Sequence, residues 1–178
     1  MTASLGDARV LPVPDAGFDA ALLLGPLYHL TTREDRVIAL SEAARAVRPG
    51  GLVFAAAISR FASLFDGLSG GAFFDPDFRR IVAADLVDGQ HRNEAENPRW
   101  FTTAYFHQPE ELRGECADAG LEVLEVVGVE GIACWLPQLA DRWETPDGRA
   151  AILDAVRAVE SEPSVLGASA HLIAVARR

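Results

Sequence analysis

Lysine is missing from this 178-residue chain: all sixteen of its basic residues are arginines, set against twenty-six acids for a formal net charge of −10. The arginines form no run and no stripe interleaved with aromatic residues. The chain therefore lacks the electrostatic footprint that neutralises phosphates, and nucleic acid is not an expected partner. Long apolar runs are missing too. The opening Met1-Thr2-Ala3-Ser4-Leu5-Gly6-Asp7 has neither the basic start nor the apolar stretch of a secretory signal, and no later run approaches the ~20 residues that a membrane helix requires. These absences predict a cytoplasmic protein. Cysteine occurs only as Cys116 and Cys134, too few and too far apart for a disulfide framework, so both are read as reduced, partly buried thiols. With no His-Glu-x-x-His and no cluster of ligand residues, no metal is expected. Repeats, linkers and low-complexity segments are also missing, which leaves residues 1–178 as one domain.

Apolar residues make up 49% of the chain and charged residues 24%, a composition that builds a core and is far from that of disorder. Ala20 to Leu24 and Leu52 to Ile58 are short continuous apolar runs, the pattern of strands covered on both faces in a parallel sheet. Between them Thr31 or Thr32 can cap a helix. Glu34 and Asp35 sit in its first turn, Val37, Leu40, Ala44 and Val47 recur at helical spacing, and Arg48-Pro49-Gly50-Gly51 stops it. This is one βαβ unit, for which a right-handed crossover is the rule. Residues 60–107 scatter Phe61, Leu64, Phe65, Phe73, Phe74, Phe78, Trp100, Phe101, Tyr105 and Phe106 without one clear period; short helices are predicted at 60–67 and 76–88. A second amphipathic helix runs from Gln108 to Ala119, with Pro109, Glu110 and Glu111 at its start and Gly120 after it. A strand from Leu121 to Val129, a short helix near 134–142, a longer one from about 146 to 160, and a strand from Ala170 to Ala176 follow. The alternation predicts an α/β fold whose last two strands are an antiparallel pair finishing a parallel sheet.

The run Gly6-Asp7-Ala8-Arg9-Val10-Leu11-Pro12-Val13-Pro14-Asp15-Ala16-Gly17-Phe18-Asp19 leads into the first strand, and Leu24-Gly25-Pro26-Leu27-Tyr28-His29-Leu30 leaves it. Arg48-Pro49-Gly50-Gly51, then His107-Gln108-Pro109-Glu110-Glu111-Leu112, then Ala119-Gly120-Leu121 follow in order. In this order and spacing the segments resemble the class I, Rossmann-like S-adenosylmethionine-dependent methyltransferases. There they form the lead into strand four, the loop after it, the turn before strand five, and the helix before strand six. The resemblance covers essentially the whole chain. It implies a sheet of order 3-2-1-4-5-7-6 with S-adenosylmethionine at the carboxyl ends of the strands, on a glycine-rich loop after strand one. Strand one, that loop, strand two and the acid that holds the ribose have no counterpart in this sequence. The chain is therefore expected to be the C-terminal two-thirds of such a domain, strands four to seven with a remnant leading in from strand three. Residues 60–107 are expected to form a helical lid over the acceptor site. Met1 is expected to be an internal valine codon read as a start within a longer protein, with a genuine truncated product as the competing explanation. Without strand one, Ala20 to Leu24 becomes an exposed apolar edge, which implies a homo-oligomer formed through it.

The resemblance also assigns roles. Asp7 would accept a hydrogen bond from the adenine amino group while the Ala8 amide addresses a ring nitrogen. Leu24 and Gly25 would contact the methionine part of the cofactor, where glycine permits close approach. Tyr28 and His29, in the same loop, would line the meeting point of methyl donor and acceptor. The plain alternatives are a Gly-Asp turn for Asp7, a strand-to-loop turn for Leu24 and Gly25, packing for Tyr28 and a surface position for His29. Methyl transfer is an in-line displacement, so positioning and exclusion of water do much of the work. A base is needed only for some acceptors, and a histidine with its ordinary pKa of about 6.5 suits a hydroxyl or ammonium group. His29 is the first candidate and His107 the second, each with a structural or capping alternative. Tyr28, Arg60, Trp100 and Tyr105 are candidate acceptor contacts, and Trp135 and Glu130 near the end of strand six can face the acceptor; irregular aromatics serve packing equally. The expected function is methyl transfer from S-adenosylmethionine to a small molecule. The alternative is a non-catalytic half-domain that pairs with itself or another chain through the strand-four edge. A nicotinamide-dependent Rossmann enzyme is not favoured, because no G-x-G-x-x-G is present.

Overall fold

A computed structural model describes residues 4–178. The elements in chain order are β1 (Phe18–Leu23), α1 (Pro26–His29), α2 (Arg33–Ala46), β2 (Val47–Ser59), α3 (Ala62–Gly70), α4 (Pro76–Asp88), β3 (Gln90–His91), β4 (Ala104–His107), α5 (Pro109–Asp118), β5 (Glu122–Gly128), α6 (Leu139–Trp143), α7 (Pro146–Arg157) and β6 (His171–Arg177). The sheet is organised around β2, thirteen residues long, which pairs in parallel with β1 and antiparallel with β6. β6 in turn takes β5 as an antiparallel partner. The order β1-β2-β6-β5 is the one expected of strands four, five, seven and six. The far end of β2, Ile58 and Ser59, runs in parallel beside Phe106 and His107 of β4, and β3 closes a short antiparallel pair with β4. Among the described residues no helix is long and apolar enough to cross a membrane, and no group of side chains is suited to a metal ion.

One face of this sheet carries the core. Leu23, Val53, Ala55, Ala57, Val126, Leu172, Ala174 and Ala176 meet Leu27 of α1, Ala39, Leu40 and Ala43 of α2, and Leu112 and Cys116 of α5. The alanines of β2 and β6 are short, so the helices can lie close over them, and each fully buried leucine contributes about 1.5–3 kcal/mol. Burial also pushes the Cys116 thiol up to about 12, so it stays a protonated, inert packing group.

The apolar runs predict cover on both faces, but the other face is open. Strand side chains alternate with a period of two, and the register puts Leu22, Phe54 and Val175 side by side on that open face. Leu22 is 66% exposed, Leu24 58%, and Leu52, Phe54, Ala56, Ile173 and Val175 are only partly buried. The runs are continuous because both sets of side chains are apolar, yet among the described residues a layer covers only one set.

Local chemistry accounts for most element ends. Thr32 caps α2 by accepting from the Asp35 amide at 3.2 Å, and Gln108 and Glu111 form a capping box on α5. Helix α2 ends at Ala46, just before Arg48 to Gly51, but those residues belong to β2 and not to a separate turn. Gly50 donates to the Arg178 carbonyl at 2.8 Å and Gly51 accepts from the Arg178 amide at 3.1 Å, so the C-terminal residue extends the sheet over the expected turn. The predicted helix near 134–142 divides into a 3-10 turn over Gly131–Trp135 and the short α6. The β3–β4 pair has no antecedent in the sequence pattern, since β3 is two residues long and β4 is buried throughout.

Helix α2, helix α5 and strand β4 are joined by a buried ionic network. The Arg36 guanidinium donates to both Glu115 carboxylate oxygens at 2.6–3.0 Å and to the Leu30 and Thr31 carbonyls, and it lies 3.6 Å from the centre of the Tyr105 ring. His107 Nε2 donates to Glu115 at 3.1 Å. All three charged or polar side chains are buried. Burial alone would raise the Glu115 carboxyl, but the bonds from His107 and Arg36 outweigh it and hold it low. Burial is the largest influence on His107 and lowers it, so the ring is neutral.

Removing the carboxylate leaves a buried guanidinium unpaired. We expect Glu115→Ala to cost about 3–5 kcal/mol in urea unfolding, a large share of a typical domain's stability. The network also sets a pH dependence. Both His107 and Glu115 have folded pKa values below their unfolded ones, so the stability they confer is present above the unfolded values and is lost as pH falls through the folded ones. The melting temperature should fall from pH 7 downward, and His107→Gln should flatten the part of that fall that lies between pH 7 and 5; an unchanged slope would remove His107 from the account.

Candidate functional site

Parallel strands gather their carboxyl ends at one rim of the sheet, and helix starts and loops collect there. β1 ends at Leu23, and Leu24 and Gly25 carry the chain into α1. The Tyr28 hydroxyl folds back over Gly25 and donates to the Leu24 carbonyl at 3.4 Å. Its ring packs on Ile58, Ala104 and Phe106. His29 lies against Tyr28, ring centres 4.8 Å apart. Phe101, from the 92–103 loop, covers both: its ring centre is 6.3 Å from Tyr28 and 6.2 Å from His29, stacked on the latter. The first strand's loop and the inserted segment thus meet through aromatic faces.

Near the N-terminus of α2, Asp7 and Arg9 form a tight turn. The Asp7 carboxylate accepts from the Arg9 amide at 2.9 Å and from its guanidinium at 3.0 and 2.7 Å, while Arg9 also reaches Asp35 of α2 at 3.0 Å. The bonds from Arg9 lower the Asp7 carboxyl to about 2, so it is ionised and still half-exposed. Among the described residues the Ala8 amide has no hydrogen-bond acceptor, and the Ala8 side chain packs against the core. An open acceptor and an open donor therefore stand side by side.

The remaining candidates lie elsewhere. Arg60 is buried, donating to the Phe106 carbonyl at 2.8 Å and to both Glu111 oxygens at 2.7–2.8 Å. Tyr105 is buried between the Arg36 and Arg60 guanidiniums, and burial, then the Glu111 charge, raises its hydroxyl above the ordinary value. His107 has no exposed surface and its second nitrogen, Nδ1, has no partner. Arg60, Tyr105 and His107 thus belong to the packing between β4 and α5, and none of them reaches the Tyr28 cluster. Trp100 turns away from Phe101 onto Phe78 of α4, ring centres 5.6 Å apart. Trp135 packs on Phe65 and donates to the Ala168 carbonyl at 2.9 Å. Glu130 holds His171 Nδ1 at 2.5 Å and accepts from Ser169; burial acts to raise its carboxyl, but these bonds carry it down to about 2. Beside it a cavity of about 550 Å³ opens between α6 and α7, lined mainly by Val129, Leu139, Trp143, Ile152 and Val156.

Sequence reasoning missed Phe101, His91 and Asp85. His91 is stacked flat on Phe106 at 4.8 Å and stands 6.4 Å from Phe101, and its Nδ1 is 2.8 Å from Asp85 Oδ2. The only available signal was the Asp88-Gly89-Gln90 turn, which folds two residues six positions apart onto each other.

Comparisons with known proteins agree with this architecture. A methyltransferase domain family matches residues 1–55, which contain the Asp7 turn, β1, the Tyr28 loop, α2 and most of β2. A probable tRNA methyltransferase 9B of Mus musculus is 46% identical over 41 residues, 23% of this chain and 9% of that protein. Among solved structures, an S-adenosylmethionine-dependent methyltransferase from Methanosarcina mazei superposes with a TM-score of 0.57 at 15% identity, over 98% of this chain and 66% of its own. Another, from Mesorhizobium loti, gives 0.57 at 14% identity, over 97% and 67%. The chain thus spans about two-thirds of the length of these solved relatives. Residues 1–55 thus match a methyltransferase domain family, and the sheet order and rim described above are those of the class I, Rossmann-like methyltransferase fold.

Proposed function

We propose that the chain carries out methyl transfer from S-adenosylmethionine to a small-molecule acceptor at the rim formed by the Asp7 turn and the Tyr28 loop. The observation that carries this reading is the paired open groups at residues 7 and 8. Adenine presents an amino donor beside a ring-nitrogen acceptor, and the Asp7 carboxylate with the free Ala8 amide is its complement. Leu24 and Gly25 would hold the methionine part, and the cofactor would supply an electrophilic methyl group. Tyr28, His29 and Phe101 would exclude water around it, with α3, α4 and the β3–β4 pair as the lid. A small acceptor fits a chain with a net charge of −10 and no basic stripe better than a nucleic acid does. The mouse relative keeps a tRNA acceptor as the competing choice. His29 is the residue of this loop suited to take a proton from an ammonium-bearing acceptor.

Titrating S-adenosylhomocysteine by calorimetry into the 178-residue chain, and into an upstream-extended chain, tests the reading. Asp7→Ala should weaken binding roughly ten-fold or more, the worth of a hydrogen bond to a charged group. Equal affinity in Asp7→Ala would move the adenine elsewhere; no binding to either chain would end the reading.

A second reading, a half-domain that pairs with another chain or with itself, is favoured by the free edge of β1 and by the open sheet face with Leu22 and Leu24. If this surface finds no other cover, the isolated chain should elute as oligomers by size exclusion with light scattering. Leu22→Lys with Leu24→Lys should shift it toward monomer, whereas a sharp wild-type monomer peak would count against the second reading.

A further inference from the structure

We propose that His91, held by Asp85, accepts the proton of a hydroxyl-bearing acceptor, preferentially a phenol. The role rests on the methyl-transfer reading above, although the site itself stands on geometry alone.

Asp85 Oδ2 lies 2.8 Å from His91 Nδ1, and the Ser63 hydroxyl oxygen lies 3.4 Å from the same nitrogen. A carboxylate only accepts, so Nδ1 carries a hydrogen, and in the neutral ring that the proposal requires Nε2 keeps its lone pair. His91 is 1% exposed and Asp85 0%, yet His91 Nε2 and Asp85 Oδ1 have no hydrogen-bond partner. A buried carboxylate with so few bonds is costly to keep, and Asp85 sits in the last turn of α4, where the helix dipole opposes a negative charge. Both costs become assets when the imidazole takes a proton, because the carboxylate and the negative helix end then face a cation.

The pair is fixed by its backbone. Gly89 ends α4 at φ +74°, donates to the Asp85 carbonyl at 2.8 Å, and accepts from the Phe106 amide at 2.7 Å. A Cβ there would come within 2.5 Å of the Phe106 carbonyl oxygen, so only glycine turns the chain this tightly. The ring is consequently clamped between its stacking partner Phe106 and the α4 carboxylate, the preorganisation that a proton acceptor needs.

Access and ligand class follow from the neighbours. Nε2 is on the far side of the ring from Asp85, and the rings flanking His91 are Phe106 and Phe101. Phe101 is 43% exposed and stands between His91 and the Tyr28–His29 pair. The proposal requires Phe101 to move aside so that an acceptor at the rim can reach Nε2. A bare nitrogen requires a ligand that donates. Aromatic walls accommodate a flat neutral ring, while bringing a charged ammonium among these carbons is far more costly. In the step itself the hydroxyl oxygen bonds to the methyl carbon as the carbon–sulfur bond breaks, its electron pair going to sulfur. The hydroxyl proton passes to His91 Nε2, and is released to water when the product leaves.

The test is imidazole nitrogen NMR on the 178-residue chain, its four histidines assigned by single substitutions, with phenol as the probe and with or without S-adenosylhomocysteine. We expect His91 to show an unprotonated Nε2 in the free protein, and phenol to move that signal and not those of His107 or His171. Asp85→Asn should raise the half-saturating phenol concentration roughly five-fold, the scale of one strengthened hydrogen bond. Phe101→Ala, at a partly exposed position, should lower it. A protonated Nε2, a still His91 signal up to the limit of phenol solubility, or a response confined to His29 would overturn the proposal. If the chain binds S-adenosylhomocysteine while His91 stays silent, only this inference fails. If His91 responds while neither this chain nor the upstream-extended one binds S-adenosylhomocysteine, the hydroxyl site stands and the methyl-transfer reading fails.

Discussion

The buried guanidinium of Arg36 is the interaction on which the working end of the molecule depends. It takes the Leu30 and Thr31 carbonyls from the segment after α1, the Glu115 carboxylate from α5, and the face of Tyr105 from β4. Neighbouring residues and side chains as far as 79 positions away in sequence are thereby set around one planar group with five donors, a geometry that arginine offers and lysine does not. Arg60 repeats the device one layer further on, between the Phe106 carbonyl, the Tyr105 hydroxyl and Glu111. The two arginines hold β4 against α5, and β4 in turn presents Ala104 and Phe106 to Tyr28. The candidate site has aromatic walls because its ionic fastenings lie behind them.

Much of this architecture was legible in the sequence. The strand runs, the capped helix between them and the Pro109-Glu110-Glu111 helix start each rely on local rules, and the structure has an element at each place. The order of the strands came from the resemblance, and the structure has it. The inserted segment was far less legible. Its aromatic residues are shared among α3, α4, the 92–103 loop and β4, each too short to impose a period. Arg60 and Tyr105 were candidate acceptor contacts because they lie in the segment that the resemblance makes a lid. Their actual partners are forty-five or more positions away in the chain or behind the strand, and single-sequence reasoning has no means of pairing them. Asp85 and His91 went unpaired for a different reason: the turn at Gly89 that brings them together joins a helix to a strand of two residues.

The open face of the sheet shows how a correct pattern can still mislead. Continuous apolar runs reported truly that both faces of β1 and β2 carry apolar side chains. They could not report whether a second layer is present. Leu22, Phe54 and Val175 line up across three strands as they would beneath packed helices, although only the opposite face is covered among the described residues.

The position of β6 bears on the order in which the molecule can assemble. β5 touches the sheet only through β6, and β6 inserts between β5 and β2, pairing Val53 with Ala176 and Ile58 with His171. Residues 122–128 therefore have no strand to join until residues 171–177 are in place. The local β1–α2–β2 unit can form early. The central pairing closes a loop of more than a hundred residues, whose entropy must be overcome before its contacts give any return. On a ribosome, this protein would carry a half-finished sheet, with β2 unpaired on one side, until β6 emerged.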